Sequence, residues 1–215
     1  MVPDRSGLLI SFEGPEGSGK STLIAALTDV LGVAGVVPLV VREPGGTRVG
    51  ERIRDILLDA DLTELLPETE LLLMVASRAQ LVRQEIQPAL AEGRIVLCDR
   101  YADASVAYQG GGRSLGVEAV HRLNDYAVGD AVPDLTLLCL LSPEQGRARI
   151  HARDPDRLER ENTAFHDRVH AAYRELAESG DPRFRVVDAS LDPQDVLDQA
   201  LAHLRNLEHE LLSGL

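Results

Sequence analysis

Five short runs of apolar residues, Leu8 to Phe12, Val36 to Val41, Ile95 to Cys98, Leu135 to Leu141 and Phe184 to Val187, punctuate the chain, with longer segments of helical periodicity between them. Runs that are apolar throughout predict strands covered on both faces, and their alternation with helices predicts an α/β fold: a doubly wound, five-stranded parallel sheet with helices on both faces. Helical spacing is read over Ser21 to Leu31, Gly50 to Leu58, Glu68 to Leu90, Val117 to Val128, Pro143 to about Ala152, Glu161 to Ala177 and Pro193 to Leu212. Leu71 to Val75 make the Glu68 to Leu90 segment the most apolar of these; Pro88 is expected to kink its last turn and Gly93 to end it. The final segment aligns Leu197, Leu201, Leu204, Leu207 and Leu211 on one stripe, which suits the sheet or a partner chain equally. At 215 residues and 44% hydrophobic content, without repeats or linkers, the chain fits one domain spanning 1–215.

Composition narrows the chemistry. A net charge of −13 argues against general binding to nucleic acid or to an anionic membrane, both of which require a positive surface. An anionic substrate must then be met by a local cluster of arginines. No apolar run approaches the roughly 20 residues needed to span a bilayer, and Met1 to Ser6 is polar, so a cytoplasmic protein is expected. Cys98 and Cys139 fall in apolar runs, where a thiol is expected to be a small core residue.

The first apolar run leads into Gly14, Pro15, Glu16, Gly17, Ser18, Gly19, Lys20, Ser21 and Thr22, a G-x-x-x-x-G-K-[ST] string followed by helical spacing. Strand, glycine loop and helix are the order in which backbone N–H groups curl around a nucleotide phosphate at a helix N-terminus. Lys20 is the only lysine among 22 basic residues. Its compact ammonium enters a ring of amides where a planar guanidinium would not fit. The string therefore predicts a nucleoside triphosphate with Mg²⁺, Ser21 offering a hydroxyl to the metal. A guanine-reading N-K-x-D string cannot exist in a chain whose one lysine lies here, which excludes a GTPase switch.

Three further strings lie at predicted strand ends, where ligands bind in open parallel sheets. They are Arg42 to Thr47 (R-E-P-G-G-T), Asp99 to Tyr101 (D-R-Y) and Ala107 to Arg113 (A-Y-Q-G-G-G-R). Between Gly146 and Arg160 lie Arg147, Arg149, Arg153, Arg157 and Arg160, with Arg168 beyond. Such a cluster reads either as a solvated helix face paired with Glu159 and Glu161 or as a lid, at about 144–160, whose arginines close on transferring phosphates.

Together with the glycine loop, these strings closely resemble the thymidylate kinase family, from about Leu8 to beyond Ala177, in the expected order and spacing. The resemblance implies phosphoryl transfer from ATP to dTMP, on the route to dTTP, by a P-loop kinase fold with a small lid and a homodimeric state. A loop interior of Glu16, Gly17 and Ser18, lacking arginine, resembles the family's lid-arginine type, which implies catalytic roles for Arg149 and Arg153. It further implies that Lys20 holds the ATP phosphates, that Asp99 orders the magnesium shell with Ser21, and that Arg100, helped by Arg54, binds the dTMP phosphate. Glu43 is expected to position the acceptor or its waters, Glu16 to receive the sugar 3′-hydroxyl, and Arg78, Ser105 and Gln109 to read the thymine edge. Tyr108 would pack against the deoxyribose. Met74, one helical turn before Arg78, stands where the family usually has a phenylalanine stacked on the base; it reads either as a wall of the base pocket or as core. Asp99 also has a plain reading as a helix cap, and Arg54 as an exposed helical arginine. Another nucleoside monophosphate kinase is the nearest alternative activity.

Overall fold

The computed structural model describes residues 6–149 and 155–215. Five parallel strands, β1 (Leu8–Glu13), β2 (Leu39–Arg42), β3 (Ile95–Asp99), β4 (Leu135–Leu140) and β5 (Phe184–Asp188), form one sheet in the order β2-β3-β1-β4-β5. Every residue of the central β1 is buried, Ser11 and Glu13 with the apolar ones, as a strand covered on both faces requires. Register places Phe12 of β1 opposite Asp99 at the end of β3, so the first glycine loop and the D-R-Y string leave the sheet side by side.

One face is covered by α1 (Lys20–Val33) and, at the chain's end, by α9 (Pro193–Arg205). There Leu23, Leu27 and Leu31 meet Leu197, Leu201 and Leu204 over Ile10 and Phe12. The leucine stripe of the last helix thus packs into this protein's own core. After the helix has ended at Arg205, Leu207 joins that core from the turn that follows and Leu211 from a short 3₁₀ segment over Glu210–Leu212. The other face carries α2 (Arg48–Leu58), α3 (Pro67–Leu81), α4 (Gln87–Ala91), α5 (Ala102–Ser105) and α6 (Val117–Val128), with α7 (Pro143–Arg149) and α8 (Thr163–Glu178) completing the order. Cys98 and Cys139 are both buried free thiols, as read from their surroundings in sequence.

Departures from the periodicity have local causes. Expected over Val36 to Val41, the second strand begins only at Leu39, after Pro38, which has no N–H for a ladder. The segment expected as one helix from Glu68 to Leu90 is split by a π-helical turn over Val82–Ile86, which lies just before Pro88 and contains Gln84, whose carbonyl the proline ring would otherwise strike. A helix across Ala102–Ser105, continued by a wide turn over Val106–Gly112, was hidden by the three glycines at its end. Those glycines serve close approach: a Cβ on Gly112 would stand 2.6 Å from the Phe165 ring of α8, and one on Gly111 2.8 Å from Ala172.

Candidate active site

The carboxyl ends of β1, β2, β3 and β5 open into a cleft of about 810 Å³. Its walls include Glu16 to Thr22, Glu43, Arg54, Met74, Arg78, Asp99, Arg100, Ser105, Tyr108, Gln109 and Arg149. Nearly every residue singled out from the sequence is therefore brought to one space, and Gly14 and Pro15 belong to the same loop. Arg153 lies outside the described residues.

The glycine loop closes on Lys20, whose buried Nζ donates to the Gly14 carbonyl at 3.1 Å, the Pro15 carbonyl at 2.9 Å and Ser18 Oγ at 3.2 Å. Burial, with Arg100 nearby, lowers the pKa of the ammonium. At Gly14, where φ is +137°, a Cβ would stand 2.2 Å from the Cys139 carbonyl, so no other residue fits. One residue beyond the lysine, Ser21 Oγ donates to Asp99 Oδ2 at 3.0 Å. A hydroxyl and a carboxylate touching at a helix N-terminus are the hard oxygen donors that suit Mg²⁺ beside a phosphate chain, so these residues fit the metal that the motif predicts.

Arg100 stands between the two ends of the cleft with φ +64°, a left-handed backbone that costs a side-chain-bearing residue energy. Its Nη1 donates to the Gly14 carbonyl at 2.9 Å and to the Tyr173 hydroxyl at 3.3 Å; Nη2 pairs with Glu16 Oε1. The guanidinium lies 5.1 Å from the centre of the Tyr108 ring, whose hydroxyl reaches the same Glu16 oxygen at 3.4 Å. Arg54 donates to the Pro44 carbonyl at 2.9 Å, so it faces the cleft and is no idle surface arginine. Burial and Arg42 lower its pKa.

Arg78 is 1% exposed and its fork is fully engaged. Nε donates to Glu43 Oε2 at 2.8 Å, Nη1 to Asn124 Oδ1 at 2.6 Å, and Nη2 to the Tyr101 carbonyl at 2.9 Å; Ser105 Oγ accepts from both terminal nitrogens. Burial raises the pKa of Glu43 against the pull of Arg78, and Glu43 Oε1 is buried without a hydrogen-bond partner. Gln109 Nε2 donates to Glu70 at 2.8 Å, and Met74 lines the cleft while packing on the cluster around Tyr108 and Phe165.

The arginine cluster disperses. Arg147 pairs loosely with Glu144 on the surface, Arg160 donates to the Pro155 carbonyl and Arg168 to that of Gly112. Arg157 does not lie on a solvated face: it is buried, bonding Glu70 at 2.7 Å and the Leu57 carbonyl at 2.9 Å. Glu161 pairs with Arg113 instead of a neighbour in the cluster. Arg149 does reach the cleft, where it donates to the Ala189 carbonyl at 2.8 Å.

Sequence reading missed four contributors. Glu70 gathers Gln109, Arg113 and Arg157 onto one buried carboxylate; Asn124 holds Arg78; Ala189 to Pro193 line the cleft together with Leu23 and Ala26; and Glu13 ends β1, one residue before the glycine loop. Burial and the nearby Asp103 push Glu13 up to about 8, while Arg100 pulls it down. For Ala189 to Pro193 a signal existed, since the segment follows a predicted strand; an acid closing the otherwise apolar run of β1 was the signal for Glu13.

A glycine loop gripping one lysine, a Ser21–Asp99 pair and a polar compartment beyond Arg100 define a P-loop nucleotide kinase with room for a donor and an acceptor. The thymidylate kinase family matches residues 12–200, and the chain belongs to that family. It is 45% identical over 203 residues to the thymidylate kinase of Lactobacillus helveticus, covering 92% of this chain and 95% of that one. Identity to the thymidylate kinase of Nitratidesulfovibrio vulgaris is 47% over 208 residues, with 93% and 97% covered. That of Bacillus velezensis is 42% identical over 199 residues, with 91% and 94% covered. No helix among the described residues is long and apolar enough to cross a membrane.

Proposed function

We propose that this cleft passes the γ-phosphoryl group of ATP to dTMP, giving dTDP and ADP, within a single domain. The observation that carries the reading is the placement of Arg100 between the glycine loop and the compartment of Met74, Ser105, Tyr108 and Gln109. Phosphoryl transfer needs two anionic groups held in line and the charge on the moving group neutralised; little covalent help is required. Lys20 and the loop amides hold the ATP phosphates, and Arg100 with Arg54 holds the acceptor phosphate. Mg²⁺, held by Ser21 and Asp99, would offset charge on the phosphate chain. Glu16 takes the 3′-hydroxyl, Tyr108 packs on the sugar, and Met74 with Ser105 and Gln109 surrounds the base. With its fork engaged by Glu43, Asn124, Ser105 and Tyr101, Arg78 supports this pocket as a rigid wall. Arg149, and Arg153 from the lid, supply the cations that the loop interior lacks.

A homodimer fits the exposure of Leu72 on α3 and of Val117 and Tyr126 on α6, two helices that pack on each other. ATP and dTMP as substrates suit a cytoplasmic location. ADP release with ATP and Mg²⁺ is expected with dTMP and much less with dUMP, UMP, CMP or thymidine; turnover of thymidine but not dTMP would reject the reading. Sedimentation of the same preparation should give twice the 23.3 kDa chain mass.

A further inference from the structure

We propose that Glu13 and Tyr173 are positioning residues for Arg100, the carboxyl fixing the backbone that follows the arginine and the phenol carrying the support on to its guanidinium. The inference rests on the reading of Arg100 as the ligand of the dTMP phosphate. Both residues are 0% exposed, and neither lines the cleft, so they act through another group.

The geometry has two arms. Glu13 Oε1 accepts the backbone N–H of Tyr101 at 2.7 Å and of Ala104 at 3.1 Å, which are the residues immediately after Arg100 and in the first turn of α5. On the other side, the Arg100 N–H donates to the Phe12 carbonyl at 3.0 Å. A left-handed arginine is thereby clamped between the end of β1 and the carboxyl that ends it, which is how an unfavourable backbone angle persists. The second arm runs through the side chain. Tyr173 on α8 donates to Glu13 Oε2 at 3.0 Å, and its oxygen accepts from Arg100 Nη1 at 3.3 Å. The chain continues directly from Glu13 into Gly14, whose carbonyl accepts from both Lys20 and Arg100. One buried acid therefore ties the donor loop to the cation that meets the acceptor.

A plain helix cap would explain the two amide contacts but not the phenol between carboxyl and guanidinium. Neighbouring charge is arranged so that Asp103 is turned to other partners, as both of its oxygens pair with Arg183. Glu13 is left with the amides and Tyr173.

Steady-state kinetics on the full chain, with dTMP and ATP varied separately, test this. Tyr173→Phe keeps the ring and its packing, and is expected to raise the dTMP KM by about three- to tenfold while the ATP KM stays within about twofold, the size of one lost hydrogen bond. Glu13→Gln retains one acceptor for the amides but sets an amide NH₂ against the phenol, and should shift the dTMP KM in the same direction. The double variant should be little worse than the more affected single one, because both break one relay. Multiplying effects, equal shifts in the two KM values, or a dTMP KM unmoved in Tyr173→Phe while Arg100→Lys raises it would overturn the relay alone. A dTMP KM unmoved in Arg100→Lys would overturn the underlying assignment of Arg100 and the inference with it. Should Glu13→Gln fail to fold, Tyr173→Phe and Arg100→Lys still decide.

Discussion

Lys20→Ala is expected to lower kcat by about 10²-fold or more at saturating ATP and dTMP, since a charge contact aimed at the transferring phosphoryl group is worth at least that. No other group can take its place. The chain has no second lysine, and Arg100, whose charge acts on Lys20, is committed to the Gly14 carbonyl, Tyr173 and Glu16. The fold should survive, because α1 is held by Leu23, Leu27 and Leu31 in the core and the loop's path is set by glycines at φ +137°, +74° and +79°. Three loop acceptors do lose the lysine, although the Gly14 carbonyl keeps Arg100, so a small fall in melting temperature is expected beside the large fall in rate. Parallel measurement of kcat and thermal unfolding separates the two. A variant retaining more than half of the parent rate would refute the role of Lys20.

What the sequence discloses follows from what each feature rests on. The strands are legible because a parallel sheet buried on both faces leaves continuous apolar runs, and the glycine loop because its chemistry is local and of fixed spacing. Asp99 and Arg100 become meaningful once strand ends are known to meet, and Phe12 opposite Asp99 is that meeting. Illegible features are those set by distant partners. Nothing near Gly111 and Gly112 in the chain announces that α8 presses Ala172 and Phe165 against them. Glu70 and Arg157 are 87 positions apart, and charge spacing around Arg157 pointed only to its neighbours in the chain. Likewise, Arg78 was legible as a site residue, but that its entire fork is used by Glu43, Ser105, Asn124 and Tyr101 is a tertiary fact.

That engagement makes Arg78 a sensitive position for stability. Arg78→Met is expected to cost about 3–5 kcal/mol in urea unfolding, the usual result of removing one partner of a buried ion pair, because Glu43 is then left without its cation. Glu43 is 5% exposed and one of its oxygens already lacks a partner, so nothing else is at hand to satisfy it. The penalty should depend on pH in a defined direction. With the arginine gone, burial alone acts on Glu43 and holds its folded pKa above the ordinary carboxylate value; the unfolded chain then gives up its proton first, and stability falls as pH rises through that interval. Arg78→Met should therefore be least damaging near pH 4 to 5, roughly the ordinary range of the free carboxyl. Adding Glu43→Gln should recover much of the loss by removing the stranded charge, without restoring dTMP affinity, since the wall that positions Ser105 and the Tyr101 carbonyl is still missing. A single variant within about 0.5 kcal/mol of the parent at neutral pH, the size of an ordinary surface change, would mean that the pair is not ionised in the fold. The rigid-wall reading of Arg78 would fall with it.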